Sequence, residues 1–418
     1  MMPPEDHIPS KASIVPYYVL AALSYFLVSA ICFFRSTDFI GHYFQPKLLA
    51  ITHLAVLGWA TNIIFGASNQ LVPVIAERKL YSEKIPIYVL AMLTIGTALL
   101  VYSFWVFSFS VFTYSGGGLI LTGFLLHAFN LYKTAITGRN DIIKDFILTA
   151  HIWLIVTGTV GFLLLINFRI PFLSADHLHY LKLHASVGMV GWFLQLIVGI
   201  SSRLVPMFLL SRYENTKLLN ITYYVVNAGL ILFLLEGMIW ETMVGRQLYF
   251  LLIAGGLVPY CLYIRNCRRA ALKKNLDSGM KHTFLALLLI SVPFALATIL
   301  VFSKNASSPA ITISYGFAFI FGFISVLIMG QTFKTLPFIV WMHITKRNAI
   351  PELLPKDLYN ESRVKWQMIL YFPGFLLFLV GILIKTGWLL NTGSLIMTIA
   401  AGWYLLEVLL LINKLRIR

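Results

Sequence analysis

Four histidines lie inside long apolar stretches of this chain, and no other residues in those stretches are as well suited to chemistry. They are His53, His127, His151 and His184. An imidazole within a bilayer is costly unless it is paired, so an intramembrane histidine is a candidate functional residue. Neutral imidazole binds both haem iron and copper. We therefore predict that at least two of the four bind a haem or a metal ion.

The haem alternative allows two pairings of these side chains. One pairs His53 with His184, and the other pairs His127 with His151, which lie on consecutive apolar stretches joined by a short loop. Two imidazoles on opposing helices suit the iron of a b-type haem and favour electron transfer. The sequence does not choose between the two pairings.

The copper alternative places a metal ion near one end of the stretch that contains His184. His177, His179 and His184 would be its ligands, because imidazole suits copper. His177 and His184 are seven residues apart and share one face of the sixth helix if that helix already begins at His177. The three cysteines have neither a metal-binding spacing nor the CxxCH motif of covalent haem attachment, and no catalytic residue can be assigned.

The composition places these histidines in a membrane protein. Of 418 residues, 59% are hydrophobic and only 11% are charged, with a mean hydropathy of +0.83, which excludes a soluble domain of this length. Apolar runs of about 20 residues predict an all-α, polytopic protein with twelve transmembrane helices. The predicted spans are 13–34, 46–72, 85–108, 114–133, 145–166, 179–208, 217–240, 246–266, 281–302, 308–336, 365–386 and 391–413.

A repeated template indicates how the twelve spans are organised. In each copy a glycine is followed eight residues later by a second glycine and seven residues after that by a proline, and the copies are offset by 133 and 131 residues. The template positions are Gly58, Gly66 and Pro73, then Gly191, Gly199 and Pro206, then Gly322, Gly330 and Pro337. This regularity predicts a single membrane domain, 1–418, with internal repeats near 13–140, 141–275 and 276–418, each of four helices.

The glycines and prolines of the template can be explained by helix packing or by cofactor binding. The glycines allow either close helix packing or the approach of a flat cofactor to the backbone. The prolines are expected to end or kink each helix as it leaves the membrane.

The basic residues predict the orientation. Most of the 32 lysines and arginines lie at the termini or in the loops after even-numbered spans, which places both termini in the cytoplasm of a bacterial-type inner (plasma) membrane. The formal charge of +16 then fits an inner rim facing anionic lipid of the bilayer and requires no nucleic acid. The first span lacks a basic region before it and a cleavage site after it, and is expected to be retained.

The arrangement resembles subunit I of the haem-copper oxidase superfamily, which includes cytochrome c oxidases and membrane nitric oxide reductases. Twelve helices in three groups of four, cytoplasmic termini, and histidines in the outer parts of the second and sixth helices carry the resemblance. It implies that His53 is an axial ligand of a low-spin haem and that His184 binds the active-site copper or iron. A more distant similarity is to NnrS-like membrane proteins, whose Phe-Arg-Pro and Trp-His-x-His-Glu segments are missing.

The chain also departs from the oxidase pattern. The family carries adjacent histidines on the seventh helix and a His-x-His pair on the tenth, but 217–240 and 308–336 contain none. Tyr315 stands at the position equivalent to His184, and Gly188 stands where many members have a tyrosine. These departures argue against oxygen reduction at a binuclear centre.

Two function classes follow from these observations. The favoured hypothesis is a haem b-binding membrane protein that handles a diatomic gas or nitrogen oxide, or transfers electrons from a cytochrome or quinol donor. If it is an enzyme, it is an oxidoreductase. The alternative is a metal-free transporter or scaffold on the same fold, in which the histidines serve as polar contacts between helices.

Overall fold

The computed structural model describes residues 9–138, 140–303, 308–347 and 353–417, and within them it is built from helices. Twelve helices in these ranges are long and apolar enough to cross a membrane, which confirms the predicted all-α, multi-pass fold. They are α1 Lys11–Phe34, α2 Pro46–Ala76, α3 Ile85–Val106, α4 Val111–Ala135, α5 Ile142–Asn167, α6 His177–Leu209, α7 Lys217–Trp240, α8 Arg246–Arg269, α9 Ser278–Phe302, α10 Pro309–Thr345, α11 Glu361–Leu383 and α12 Gly387–Leu415.

The three template helices are the most buried of the twelve. In α2, α6 and α10, 72%, 67% and 78% of the most apolar 18-residue segment is buried, and no other spanning helix in the described residues exceeds 50%. A helix that is apolar all round and buried all round is a core helix rather than a lipid-facing one. The template therefore marks the helices with the highest buried fraction in the described residues.

The template prolines do not end their helices, contrary to one of the two outcomes expected from the sequence. Pro73, Pro206 and Pro337 all lie inside continuous helix. In α6 the carbonyl of Ser202, four residues before Pro206, accepts a hydrogen bond of 3.0 Å from the hydroxyl of Tyr263. A proline can be tolerated inside a membrane helix when a neighbouring helix satisfies the freed carbonyl.

Each template helix also contains a π-helical segment. The three segments are Leu54–Thr61, Val187–Leu194 and Ala318–Ile324, so they begin at the same offsets of 133 and 131 residues as the glycine template. π-Helical geometry is rare but frequent at functional sites, and a shorter segment, Glu236–Trp240, ends α7 outside the template. The grouping of the twelve helices into three sets of four remains a prediction.

The template glycines pack against neighbouring helices. A Cβ atom added to the second glycine of each copy would lie 2.6 Å from Tyr17 of α1, 2.7 Å from Phe146 of α5 or 2.7 Å from His282 of α9. In each case the neighbour belongs to the first helix of the corresponding predicted group. Of the two interpretations of these glycines, close helix packing is the one that describes them here.

The chain forms two compact units. Unit 1 takes in the described parts of Met1–Val74, Ser82–Ser108 and Asp277–Arg418, and unit 2 takes in those of Ile75–Tyr81 and Phe109–Leu276. Unit 1 therefore contains α1, nearly all of α2, α3 and α9 to α12. Unit 2 contains α4 to α8.

A buried polar network joins three helices of unit 2. The Asn227 amide nitrogen donates to Gln195 Oε1 at 3.0 Å, the Gln195 amide nitrogen donates to Asn227 Oδ1 at 2.8 Å, and Trp153 Nε1 donates to the same Oδ1 at 2.8 Å. Asn227 and Gln195 are 8% and 1% exposed. The network therefore connects α5, α6 and α7 where water is excluded, which fixes their relative rotation.

Replacing Asn227 by Ala is expected to lower the free energy of unfolding by about 2 kcal/mol, since each interhelical hydrogen bond in a membrane contributes about 0.6 kcal/mol or somewhat more. Unfolding of detergent-solubilised protein by SDS measures the change. Asn220→Ala on the same helix is the matched control, because the Asn220 side chain is exposed. Equal stability of the two variants would contradict a structural role for the network.

Candidate haem and metal sites

His53 lies near the N-terminal end of α2, in unit 1. Its Nδ1 donates a hydrogen bond of 2.7 Å to the carbonyl of Leu49, one turn earlier. A carbonyl only accepts, so the proton of the neutral ring is on Nδ1 and the lone pair is on Nε2. The ring packs against Phe104 of α3, with centroids 4.7 Å apart. This is the tautomer and the fixed orientation that a metal-binding histidine has.

The π-helical segment of α2 begins at Leu54, immediately after His53. A π-helical turn changes the direction in which the following side chains leave the helix, and such turns are frequent at functional sites. His53 is half-buried, so its ring is neither sealed in the packed interior nor open to the surroundings. Haem binding by His53 remains a prediction, and position, tautomer and backbone geometry are compatible with it.

His184 has a similar setting in α6 of unit 2. Its Nδ1 donates a hydrogen bond of 3.0 Å to the carbonyl of Thr157 in α5, so this ring too carries its lone pair on Nε2. The ring lies over Gly161, where an added Cβ would be 2.7 Å from the His184 Cε1 atom. The π-helical segment of α6 begins at Val187. His184 belongs to unit 2 and His53 to unit 1, and the pairing of these two histidines on one haem remains a prediction.

His127 and His151 lie next to each other in unit 2, as their placement on consecutive spans predicted. Their side chains are 1% and 3% exposed, and their ring centroids are 5.4 Å apart. His151 Nδ1 donates a hydrogen bond of 2.7 Å to the carbonyl of Ile147. The Nε2 atom of His151 is buried and has no hydrogen-bond partner among the described residues.

The spacing of this pair bears on haem ligation. An iron atom lies about 2 Å from each ligating nitrogen, which places each ring centroid about 3.1 Å from the metal and two opposite rings about 6.2 Å apart. The observed 5.4 Å is shorter, and α4 and α5 are tightly packed one turn or two away, where an added Cβ on Gly158 would lie 3.0 Å from Phe124. The spacing is therefore shorter than two opposite haem ligands require, and the pairing of His127 with His151 on a haem remains a prediction.

The three histidines of the predicted copper site contact different parts of unit 2. The His177 ring packs against Phe168 at a centroid distance of 4.3 Å. The His179 Nε2 donates to the carbonyl of Gly237 at 2.8 Å, and His184 binds Thr157 as described above. His177 and His179 are two residues apart in a helix, so they point to different faces. Within the described ranges, no group of three or more His, Cys, Asp or Glu side chains could hold a metal ion, and copper at these three positions remains a prediction.

Sequence analysis did not identify the template tryptophans as candidate site residues. Trp59 and Trp192 follow the first template glycine in α2 and α6 and are 0% and 1% exposed. Trp192 packs edge to face on His151, with centroids 5.1 Å apart. Trp59 stacks on Tyr25 at 4.4 Å and donates from Nε1 to Ser325 at 3.0 Å. Their recurrence within the template was the signal that could have identified them.

Comparison with known proteins identifies no family and no curated relative for this chain. No protein-family model matches the chain, and no curated protein matches it.

Proposed function

We propose that this multi-pass membrane protein binds a b-type haem through His53 and acts in electron transfer or in handling a diatomic gas or nitrogen oxide. It resides, on this proposal, in a bacterial-type inner membrane with both termini in the cytoplasm, and a cytochrome or quinol supplies its electrons. One observation carries the proposal: a histidine with its lone pair on Nε2 directly precedes a π-helical segment in a core helix.

The residues around His53 would suit it to hold a haem. The Leu49 carbonyl accepts the Nδ1 proton, which fixes the ring orientation and raises the basicity of the opposite nitrogen. The Phe104 ring packs against the imidazole and limits its rotation. A bound haem supplies one-electron and gas-binding chemistry that no side chain of the chain provides.

The proposal stops short of an oxygen reductase. The seventh and tenth spans contain no histidine, and Tyr315 stands at the position equivalent to His184, so the ligand set of a binuclear centre is incomplete. An oxidoreductase that uses a single haem, or a haem protein that binds a small gas, requires no such centre. His184, on the sixth helix, is proposed as a second haem ligand or as the ligand of a metal ion.

The test is the visible absorption spectrum of protein purified from haem-replete cells, together with its haem content by the pyridine haemochrome method. We expect a Soret band and close to one haem per chain, with the band shifting when a quinol or a reduced cytochrome is added. Colourless, metal-free protein under these conditions would contradict the proposal. It would favour instead a transporter or scaffold whose histidines are polar helix contacts.

A further inference from the structure

The His127 and His151 pair has a feature that the haem proposal does not use. Both rings are almost completely buried, and the Nε2 of His151 is sealed from solvent with no hydrogen-bond partner among the described residues. A buried polar nitrogen without a partner costs free energy of the order of 1–3 kcal/mol. The Nε2 of His151, which lies next to a second imidazole, would be stabilised by a ligand that accepts its lone pair.

The Nε2 of His151 is an acceptor and not a donor. Its Nδ1 already donates to the Ile147 carbonyl at 2.7 Å, so the lone pair of the neutral ring is on Nε2. A lone pair directed into a water-excluded interior can bind a proton donor or a metal ion. The ring of His127 lies beside it with its centroid 5.4 Å away.

The spacing of the two rings fits one shared metal ion. An ion about 2.0 Å from one nitrogen of each ring lies about 3.1 Å from each centroid, and centroids 5.4 Å apart then subtend an angle of about 120° at the ion. That angle is typical of three-coordinate or distorted tetrahedral binding, so at least one further small ligand would complete the coordination. The spacing that is too short for opposite ligands of a haem is therefore suitable for a bent pair of ligands on a single ion.

The charge of the surroundings selects the ion. Both ligands are neutral, and in the described part of the chain no third His, Cys, Asp or Glu completes a group with them. The cost of burying an ion in an apolar interior rises with the square of its charge, so a monovalent ion is strongly favoured over a divalent one. Imidazole suits copper, and copper(I) is the monovalent form of that metal.

We propose that His127 and His151 form a buried two-histidine site in unit 2 that binds one copper(I) ion. The site is independent of the haem proposed at His53, which lies in unit 1. It also differs from the copper site predicted for His177, His179 and His184, because those residues lie in α6 whereas His127 and His151 lie in α4 and α5.

Anaerobic titration of the purified full-length protein with copper(I), in competition with a chromogenic copper(I) chelator, tests the proposal. We expect one tightly bound copper(I) per chain, and at least 100-fold weaker binding in the variants His127→Ala and His151→Ala. His282→Ala is the matched control, since His282 is also buried, at 6% exposure, but has no neighbouring histidine among the ring contacts of the described residues; it should bind copper(I) like the unmodified protein.

X-ray absorption at the copper edge of the unmodified protein supplies a readout that does not depend on any variant folding. We expect three or four light ligands near 2.0 Å, with the outer-shell scattering of imidazole. Failure to bind copper(I), binding by both variants as tight as by the unmodified protein, or a spectrum without imidazole overturns the proposal. Loss of haem, but not of copper(I), from His127→Ala and His151→Ala overturns it in favour of haem ligation. A missing Soret band in the unmodified protein sinks the haem proposal alone and leaves the copper(I) result unaffected.

Discussion

Replacing His53 by Ala is expected to abolish the Soret band and reduce the haem content to a small fraction of that of the unmodified protein. The imidazole would coordinate the iron through its Nε2 lone pair, and alanine offers no lone pair in its place. Absorption spectra and pyridine haemochrome content of the two proteins, purified in parallel and compared per chain, measure the loss.

His343→Ala is the control for this variant. His343 also lies in a core helix of unit 1, is half-buried, and donates from Nδ1 to the carbonyl one turn earlier, that of Ile339, at 2.9 Å. It differs from His53 in that no π-helical segment follows it in α10. We expect His343→Ala to keep its haem, and equal haem loss from both variants would show that general destabilisation rather than ligation is responsible.

Added imidazole separates ligation from folding in a second way. The cavity left by His53→Ala has the size of the missing ring, so free imidazole can occupy it and bind iron. Recovery of the Soret band on adding imidazole is the expected result. Haem loss that imidazole does not reverse, in a variant that remains folded by size-exclusion chromatography, would leave His53 without a ligand role.

The spans were predictable because the thickness of the hydrocarbon layer fixes the length of an apolar run. The clearest difference in length is α10, which continues to Thr345 where the sequence predicted an end at 336. Ile339 and Val340 in this extension are fully buried, so the helix is extended by packing within the protein and not by contact with lipid. Hydropathy does not distinguish these two environments.

Which histidine side chains meet was less predictable, because the hydropathy of a helix does not determine its rotation about its own axis. His127 and His151 are neighbours because a short loop brings consecutive helices together, and that much followed from the sequence. His177 and His179 bind separate partners because two positions along a helix turn a side chain to another face. The π-helical segments were not predicted, because no residue pattern in the sequence indicates them, although they coincide with the glycine template.

Gly393→Val is expected to destabilise unit 1 by about 3 kcal/mol, since overpacking in a close-packed interior costs that much. A Cβ added to Gly393 of α12 would lie 2.6 Å from the backbone nitrogen of Phe378 and 2.7 Å from the carbonyl of Gly374, both in α11. Backbone atoms cannot rotate away as a flexible side chain does, so the two helices must separate. Unfolding by SDS in mixed micelles measures the difference.

Gly387→Val supplies the comparison that isolates this contact. Gly387 begins the same helix and has no neighbouring atom within 4 Å of an added Cβ, so we expect a change close to zero or a small gain from replacing glycine in a helix. Gly393→Ala adds the single atom that causes the clash and should fall between the two. Equal stabilities of Gly393→Val, Gly393→Ala and Gly387→Val would contradict a backbone-to-backbone contact between α11 and α12. Close packing of small residues, which joins membrane helices, would then not explain how these two helices associate.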